Sequence, residues 1–150
     1  MQYKYIGCFF DPEGLWEKTK MIRTSPLENL IQNPHVTFLY RPEIVNESLF
    51  GSCVEVTITG YGCDGNNEGV LVNLKIDQKE LIELAQRIPV PHITLSLSDN
   101  ADAVNTRYIH FEPVEPITVQ GIFGAMTEGN DIVLSADSIS AIGDDEGVYF

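Results

Sequence analysis

The sequence predicts an α+β domain built mainly on antiparallel sheet. Three observations carry that reading. Short alternating or β-branched runs outnumber helical ones, Gly- and Pro-rich stretches separate neighbouring runs closely enough for hairpins, and two segments carry apolar residues at helical spacing. The elements follow the order strand, helix, strands, helix, strands in a single domain over 1–150, with no long-period internal repeat.

Tyr3 to Phe10 is the first predicted strand, aromatic and β-branched. Asp11-Pro12-Glu13 then opens a helix: Asp11 suits the N-cap, Pro12 the first turn, and Glu13 complements the helix dipole. Leu15, Trp16, Thr19 and Ile22 extend its spacing to about Arg23, and Pro26 limits it. Pro34 precedes a strand from His35 to Tyr40, and Cys53 to Tyr61 alternates clearly as another. Gly62 to Gly69 reads as a turn from which Val70 to Ile76 pairs back. Gln78 to Arg87 is a short helix with Leu81, Leu84 and Ala85 inward, stopped by Pro89-Val90-Pro91. A strand follows from His92 to Ser98, and Ile117 to Met126 with Ile132 to Ser135 form a closing hairpin.

Composition narrows the function. The chain holds 9 Lys and Arg against 22 Asp and Glu, a net charge of −13. Such a surface repels polyanions and forgoes the counterion release that drives duplex binding, so long nucleic acid is a poor partner. A small phosphorylated ligand needs only a few local donors. No apolar run approaches the ~20 residues that span a bilayer. Met1 to Tyr5 lacks the pattern of a signal peptide, so a cytoplasmic location is the expectation. Cys8, Cys53 and Cys63 are odd in number and widely spaced, which fits free core or loop thiols and offers no zinc pair.

One short internal echo carries the chemistry. Pro34-His35-Val36-Thr37-Phe38 matches Pro91-His92-Ile93-Thr94-Leu95. Side chains alternate faces along a strand, so each His and the Thr two positions later point the same way, and Val36 and Ile93 point into packing. Facing copies would line one cleft with two imidazoles and two hydroxyls. One imidazole can take a proton from an attacking oxygen and the other can protonate the leaving oxygen. The hydroxyls can donate to the non-bridging phosphoryl oxygens. Such a mechanism uses no cofactor, and no HExxH or EF-hand motif offers a metal. A bell-shaped rate profile centred near neutrality follows if both imidazoles titrate within about a unit of the reference ~6.5.

With these residues the chain resembles the 2H phosphoesterase superfamily, which is marked by two His-x-Ser/Thr-x motifs; His35-Val36-Thr37-Phe38 and His92-Ile93-Thr94-Leu95 both fit. The resemblance implies a bilobal fold of two antiparallel sheets with flanking helices around a central groove. It implies His35 and His92 as catalytic acid and base, and Thr37 and Thr94 as phosphate ligands. Members of the superfamily act on 2',3'-cyclic ends of RNA, on 2',5'-linked oligoadenylate, and on cyclic-oligonucleotide signals. A small nucleotide or oligonucleotide is therefore the expected substrate. A nucleotide-sequestering module without turnover is the alternative, and an accidental echo in an interaction protein is a third reading. Which His is acid, which nucleotide is bound, and the oligomeric state stay open at this level.

Other side chains are candidate groove residues with ordinary structural alternatives. Tyr5 offers a stacking face or core packing, as does Tyr3. Arg41 could reach a phosphate or simply end a strand. Ser96 and Ser98 share strand parity with His92, and Phe123 could be a base platform or core. Tyr61 and the loop Asp64 to Glu68 could form a rim. His110 lacks a Thr two positions on, where Glu112 stands, and is read as structural. The GDDEG tail at Gly143 to Gly147 reads as a solvated acidic segment.

Overall fold

The computed structural model describes residues 2–135, and it is α+β with antiparallel pairing throughout. The strands are β1 (Tyr3–Phe9), β2 (Asn29–Leu30), β3 (His35–Tyr40), β4 (Cys53–Cys63), β5 (Asn67–Lys75), β6 (His92–Leu97), β7 (Glu112–Thr127) and β8 (Ile132–Val133). Helices α1 (Pro12–Thr19) and α2 (Lys79–Ala85) and 3-10 turns at Glu47–Leu49 and Ala103–Tyr108 complete it. Asp11 caps α1 as expected, accepting from the Gly14 N–H at 3.0 Å. The helix stops at Thr19, short of Arg23. The Ile22 and Arg23 N–H groups both turn back to the Thr19 carbonyl, and the Arg23 side chain is drawn to Glu68.

Two strand boundaries also differ from the expectation, for a physical reason. The stretch from Gly62 to Gly69 is mostly strand, with a tight turn only at Asp64-Gly65-Asn66. Asp64 Oδ1 caps that turn by accepting from the N–H groups of Asn66 (2.9 Å) and Asn67 (2.8 Å). Strand β7 begins at Glu112 and not at Ile117, in spite of Pro113 and Pro116. The pairing with β4 shifts register between Ile58 and Gly60, opposite those prolines, where a missing N–H is tolerated.

The resemblance led us to expect two separate sheets. Hydrogen bonding instead joins the strands into one path, β2-β6-β5-β4-β7-β1-β3, with β8 on β7. The joint is β7. Its first part, up to Ile122, pairs with β4, and its last part, from Ile122 onward, pairs with β1. The sheet therefore divides at Ile122 into one half made of β4, β5 and β6 and another made of β1 and β3. Gly121 lies at this joint: a Cβ there would come within 2.1 Å of Cys8 Sγ and 2.8 Å of Phe10 Cε1. Although β3 and β6 lie far apart along the path, they approach each other within 8 Å between Cα atoms. The sheet therefore curls enough to bring its two His-bearing strands close together.

The main core is a cluster from both halves, including Ile6, Val36, Val54, Val56, Val70, Leu81, Ile93, Leu95 and Phe123, and a smaller one holds Tyr5, Phe9 and Met126. Among the described residues one carboxylate is buried in the main core. Glu68 is fully covered and accepts from Arg23 Nη2 (2.5 Å), Arg23 Nε (3.1 Å), Tyr61 Oη (2.6 Å) and Ser96 Oγ (2.6 Å). Full satisfaction of both oxygens is what makes a buried carboxylate tolerable. The cysteines are free thiols, Cys8 in the core and Cys53 and Cys63 at the ends of β4. Among the described residues, no helix is long and apolar enough to cross a membrane.

Candidate functional site

Each Pro-His motif begins its strand, and each imidazole is fixed in the same way. His35 Nδ1 donates to the Asn33 carbonyl at 2.8 Å, and His92 Nδ1 donates to the Val90 carbonyl at 2.8 Å. The acceptor is in both cases the residue before the proline. A carbonyl can only accept, so Nδ1 carries a proton in both rings, and in the neutral form Nε2 is the free base nitrogen. The two sides thus present equivalent nitrogens by equivalent bonds.

Burial lowers the pKa of His35 to about 4; the Asn33 bond opposes this and the charge of His92 adds to it. His92 is lowered as well, first by burial, against the Val90 bond, and then by the positive charge of Arg107. Each imidazole stands near a second positive charge: His92 for His35, and Arg107 for His92. Burial is the largest cause in both rings, and an anion bound beside them would act in the opposite direction, favouring imidazolium.

The echo extends beyond the motifs into their partner strands. In one half Gly7 pairs with Thr37, Cys8 with Val36 and Phe9 with His35. In the other, Gly69 pairs with Thr94, Val70 with Ile93 and Leu71 with His92. Both ladders slip at the same step, so that Ile6 meets Leu39 and Tyr5 meets Tyr40, while Glu68 meets Ser96 and Asn67 meets Leu97. On the far side Gly7 pairs with Gly124, and Gly69 with Gly62. The glycines permit close approach. A Cβ on Gly7 would lie 2.2 Å from the Val36 carbonyl oxygen, and one on Gly69 would lie 2.4 Å from Thr106 Cγ2 and 2.9 Å from the Ile93 oxygen. In sequence these glycines show only as Ile6-Gly7-Cys8 and Glu68-Gly69-Val70, too little to stand out.

The two threonines differ in their surroundings. Thr37 is half-buried beside His35 on the same strand face. Thr94 is covered by the Ala103–Tyr108 turn, and its hydroxyl lies 2.8 Å from that of Thr106. Asn67 Nδ2 donates to Thr106 Oγ1 at 3.0 Å and to the Asp102 carbonyl at 2.8 Å. Hydroxyl protons rotate, so Thr106, accepting from Asn67, can donate in turn to Thr94, whose own proton lies toward the Ala103 carbonyl at 3.4 Å and reaches a ligand oxygen by rotating away from it.

Tyr5 packs directly on the site. Its ring stacks on His35 with centroids 4.5 Å apart, and its hydroxyl oxygen is 3.3 Å from His35 Nδ1. Phe9 packs against both rings, its centroid 5.7 Å from that of His35 and 5.9 Å from that of Tyr5. Tyr5 is 8% exposed, so it supports His35 and offers little stacking face to a base. Burial raises its phenol pKa, keeping the hydroxyl neutral.

Several candidate groove residues are engaged elsewhere. Ser96 is fully buried, donating to Glu68 and accepting from the Leu27 N–H at 2.9 Å, because β2 and the segment before it cover that face of β6. Phe123 is 1% exposed and packs against Phe38 and Phe50, so it is core and no base platform. Arg41 turns its guanidinium to Glu128 and lies over the Tyr40 ring. Tyr61 is buried on Glu68, and Glu68 is no rim residue. Ser98 bonds Asn66 Oδ1 at 3.2 Å. His110 is exposed and meets Glu112 at 2.7 Å. Gly143 to Gly147 lie outside the described residues.

Sequence reading overlooked Arg107, which only the turn after β6 brings to His92. Its sole sequence signal is that it is one of 9 basic residues in an acidic chain. Among the described residues no group of three or more His, Cys, Asp or Glu side chains is placed to hold a metal ion. Comparison of the chain with protein-family models, curated proteins and solved structures returns no match.

Proposed function

We propose that the chain is a phosphodiesterase that cleaves a phosphodiester bond in a small nucleotide by paired His35 and His92 acid–base catalysis. The observation that supports this best is the matched presentation of the two imidazoles. Both open strands that lie close together, both hold Nδ1 on the carbonyl two residues back, and both keep Nε2 for a ligand. A structural histidine has no need of this duplicate arrangement.

In the proposed reaction, neutral His35 or His92 takes the proton of water or a ribose hydroxyl through Nε2. The other, as imidazolium, gives its Nε2 proton to the leaving oxygen. Thr37 and Thr94 donate to the non-bridging oxygens as charge builds on them. The acid–base work rests on residues of this chain alone. The acidic surface favours a short substrate over a long strand, since each added phosphate meets the same unfavourable field. Substrates that fit are a 2',3'-cyclic nucleotide, a 2',5'-linked dinucleotide and a cyclic oligonucleotide.

The test is incubation of the protein with that panel in excess chelator, with products separated by chromatography. Cleavage of at least one substrate, lost in His35→Ala and in His92→Ala, is the expected result. Binding without turnover at any pH from about 5 to 9 would replace the enzyme reading with that of a sequestering module.

A further inference from the structure

The Ala103–Tyr108 turn is packed against β5 and β6 and places Thr106 on Thr94. The next residue, Arg107, has an unusual environment. Its Nε is buried and has no hydrogen-bond partner. Its Nη2 donates to Tyr108 Oη at 2.7 Å, and the guanidinium lies 4.8 Å from the centroid of that ring. Among the described residues no carboxylate pairs with it, although the chain carries 22. Arg23 and Arg41, by contrast, are each held by a glutamate.

An unpaired guanidinium with a desolvated, unsatisfied donor is costly unless something else meets it. Arginine is also the side chain best shaped to grip phosphate oxygens. We infer that Arg107 is a phosphate ligand of the site, its guanidinium binding a non-bridging oxygen of a phosphate held between His35 and His92. Tyr108 holds the guanidinium by one hydrogen bond and one ring contact, which lowers the side-chain freedom lost on binding. This inference rests on the proposed reading of the site. It also gives the two halves different duties: His35 is backed by the Tyr5 ring, and His92 is flanked by a cation.

Burial is the main cause of the lowered His92 pKa in the free protein, and the charge of Arg107 adds to it. A phosphate bridging the two neutralises the guanidinium and favours imidazolium at His92. The substrate thereby brings its own acid into the correct protonation state.

The experiment is an NMR titration of the His92 imidazole with inorganic phosphate, in wild type, Arg107→Gln and Arg107→Lys. Wild type should bind phosphate, and the glutamine variant should bind about 10- to 100-fold more weakly, the range for a lost charged hydrogen bond. Lysine should recover part of the loss, since it restores the point charge without the fork. In the free protein the His92 pKa should rise in the glutamine variant and stay low in the lysine variant, a change that a purely structural role would not produce. If wild type binds phosphate and Arg107→Gln binds it equally well, the Arg107 inference is overturned and the site reading survives. If wild type binds none, the site reading itself fails and takes the inference with it. Should the glutamine variant not fold, Arg107→Lys decides: weaker phosphate binding supports the assignment and unchanged binding overturns it.

Discussion

A histidine serves in proton transfer only while its pKa stays within reach of the working pH. Burial holds His35 at about 4, so its imidazole is neutral at pH 7 and suits the role of base. His92 is shifted in the same direction. The neutral-range optimum expected from unperturbed histidines therefore does not carry over to the free protein. Because kcat/KM reports the free protein and kcat the complex, the kcat/KM optimum should lie below pH ~6.5, with the kcat optimum at higher pH. Rates at saturating and subsaturating substrate across the pH range give both profiles, and coincident optima would contradict the argument. The same shift acts on stability. With a folded pKa near 4 and an unfolded one near ~6.5, the unfolded chain binds the extra proton between them. The His35 contribution is therefore complete above pH ~6.5 and is lost as the pH falls toward the folded value. Urea midpoints should decline over that window, and less steeply in His35→Gln. For turnover, His35→Ala and His92→Ala should each lose about 10²- to 10⁴-fold. Thr37→Ala should lose less, about 10- to 10³-fold, and His110→Ala, exposed on Glu112, should be neutral.

At the scale of elements, the site depends on how closely β5 and the turn after β6 approach the motif strand. Gly69→Ala would drive a methyl to 2.4 Å from Thr106 Cγ2 and 2.9 Å from the Ile93 oxygen. Backbone cannot yield as a flexible side chain can, so a loss of about 1–3 kcal/mol is expected. Denaturant midpoints measure the stability, and assays at low temperature, where the variant stays folded, separate it from activity. Thr106→Val keeps the volume of the turn but breaks the chain from Asn67 to Thr94. We expect it to depress turnover in the direction of Thr94→Ala while His92 keeps its bond to Val90. A Thr106→Val protein with full activity would show that Thr94 needs no such orientation. Register echo is also an element-scale property. Its signal is divided between strands far apart in sequence, so no window along the chain contains both the motif and its glycine.

Over the whole molecule, the buried ion pair ties the segment after α1 to the half that carries His92. Glu68 is fully buried, and Arg23 meets it through two nitrogens. Removing the carboxylate in Glu68→Ala leaves Arg23, Tyr61 and Ser96 with orphaned donors, a loss of about 3–5 kcal/mol. Glu68→Gln should lose less, because an amide oxygen still accepts. Equilibrium unfolding of the two variants checks the order, and equal stability of Glu68→Ala and wild type would mean that the network is dispensable. The long strand β7 has a comparable role, since among the described residues it is the strand that pairs with both β4 and β1.

Local chemistry determined much of this by itself. The Asp11-Pro12 start of α1, the limits of β3, and the side-by-side His and Thr of each motif follow from capping, proline geometry and two-residue alternation. These act over a few residues and leave their mark in a few residues. What tertiary structure decided depends on partners distant in the chain. Ser96 and Glu68 read as groove and loop, but Arg23 and Tyr61 make them a buried network. Phe123 read equally as a base platform or as core, and Phe38 and Phe50 decide for core by enclosing it. Arg107 read as nothing in particular until the turn after β6 brought its charge within reach of His92. Burial, pKa and charge pairing are properties of surroundings, and the surroundings of these residues exist only once the sheet has curled to bring β3 and β6 together.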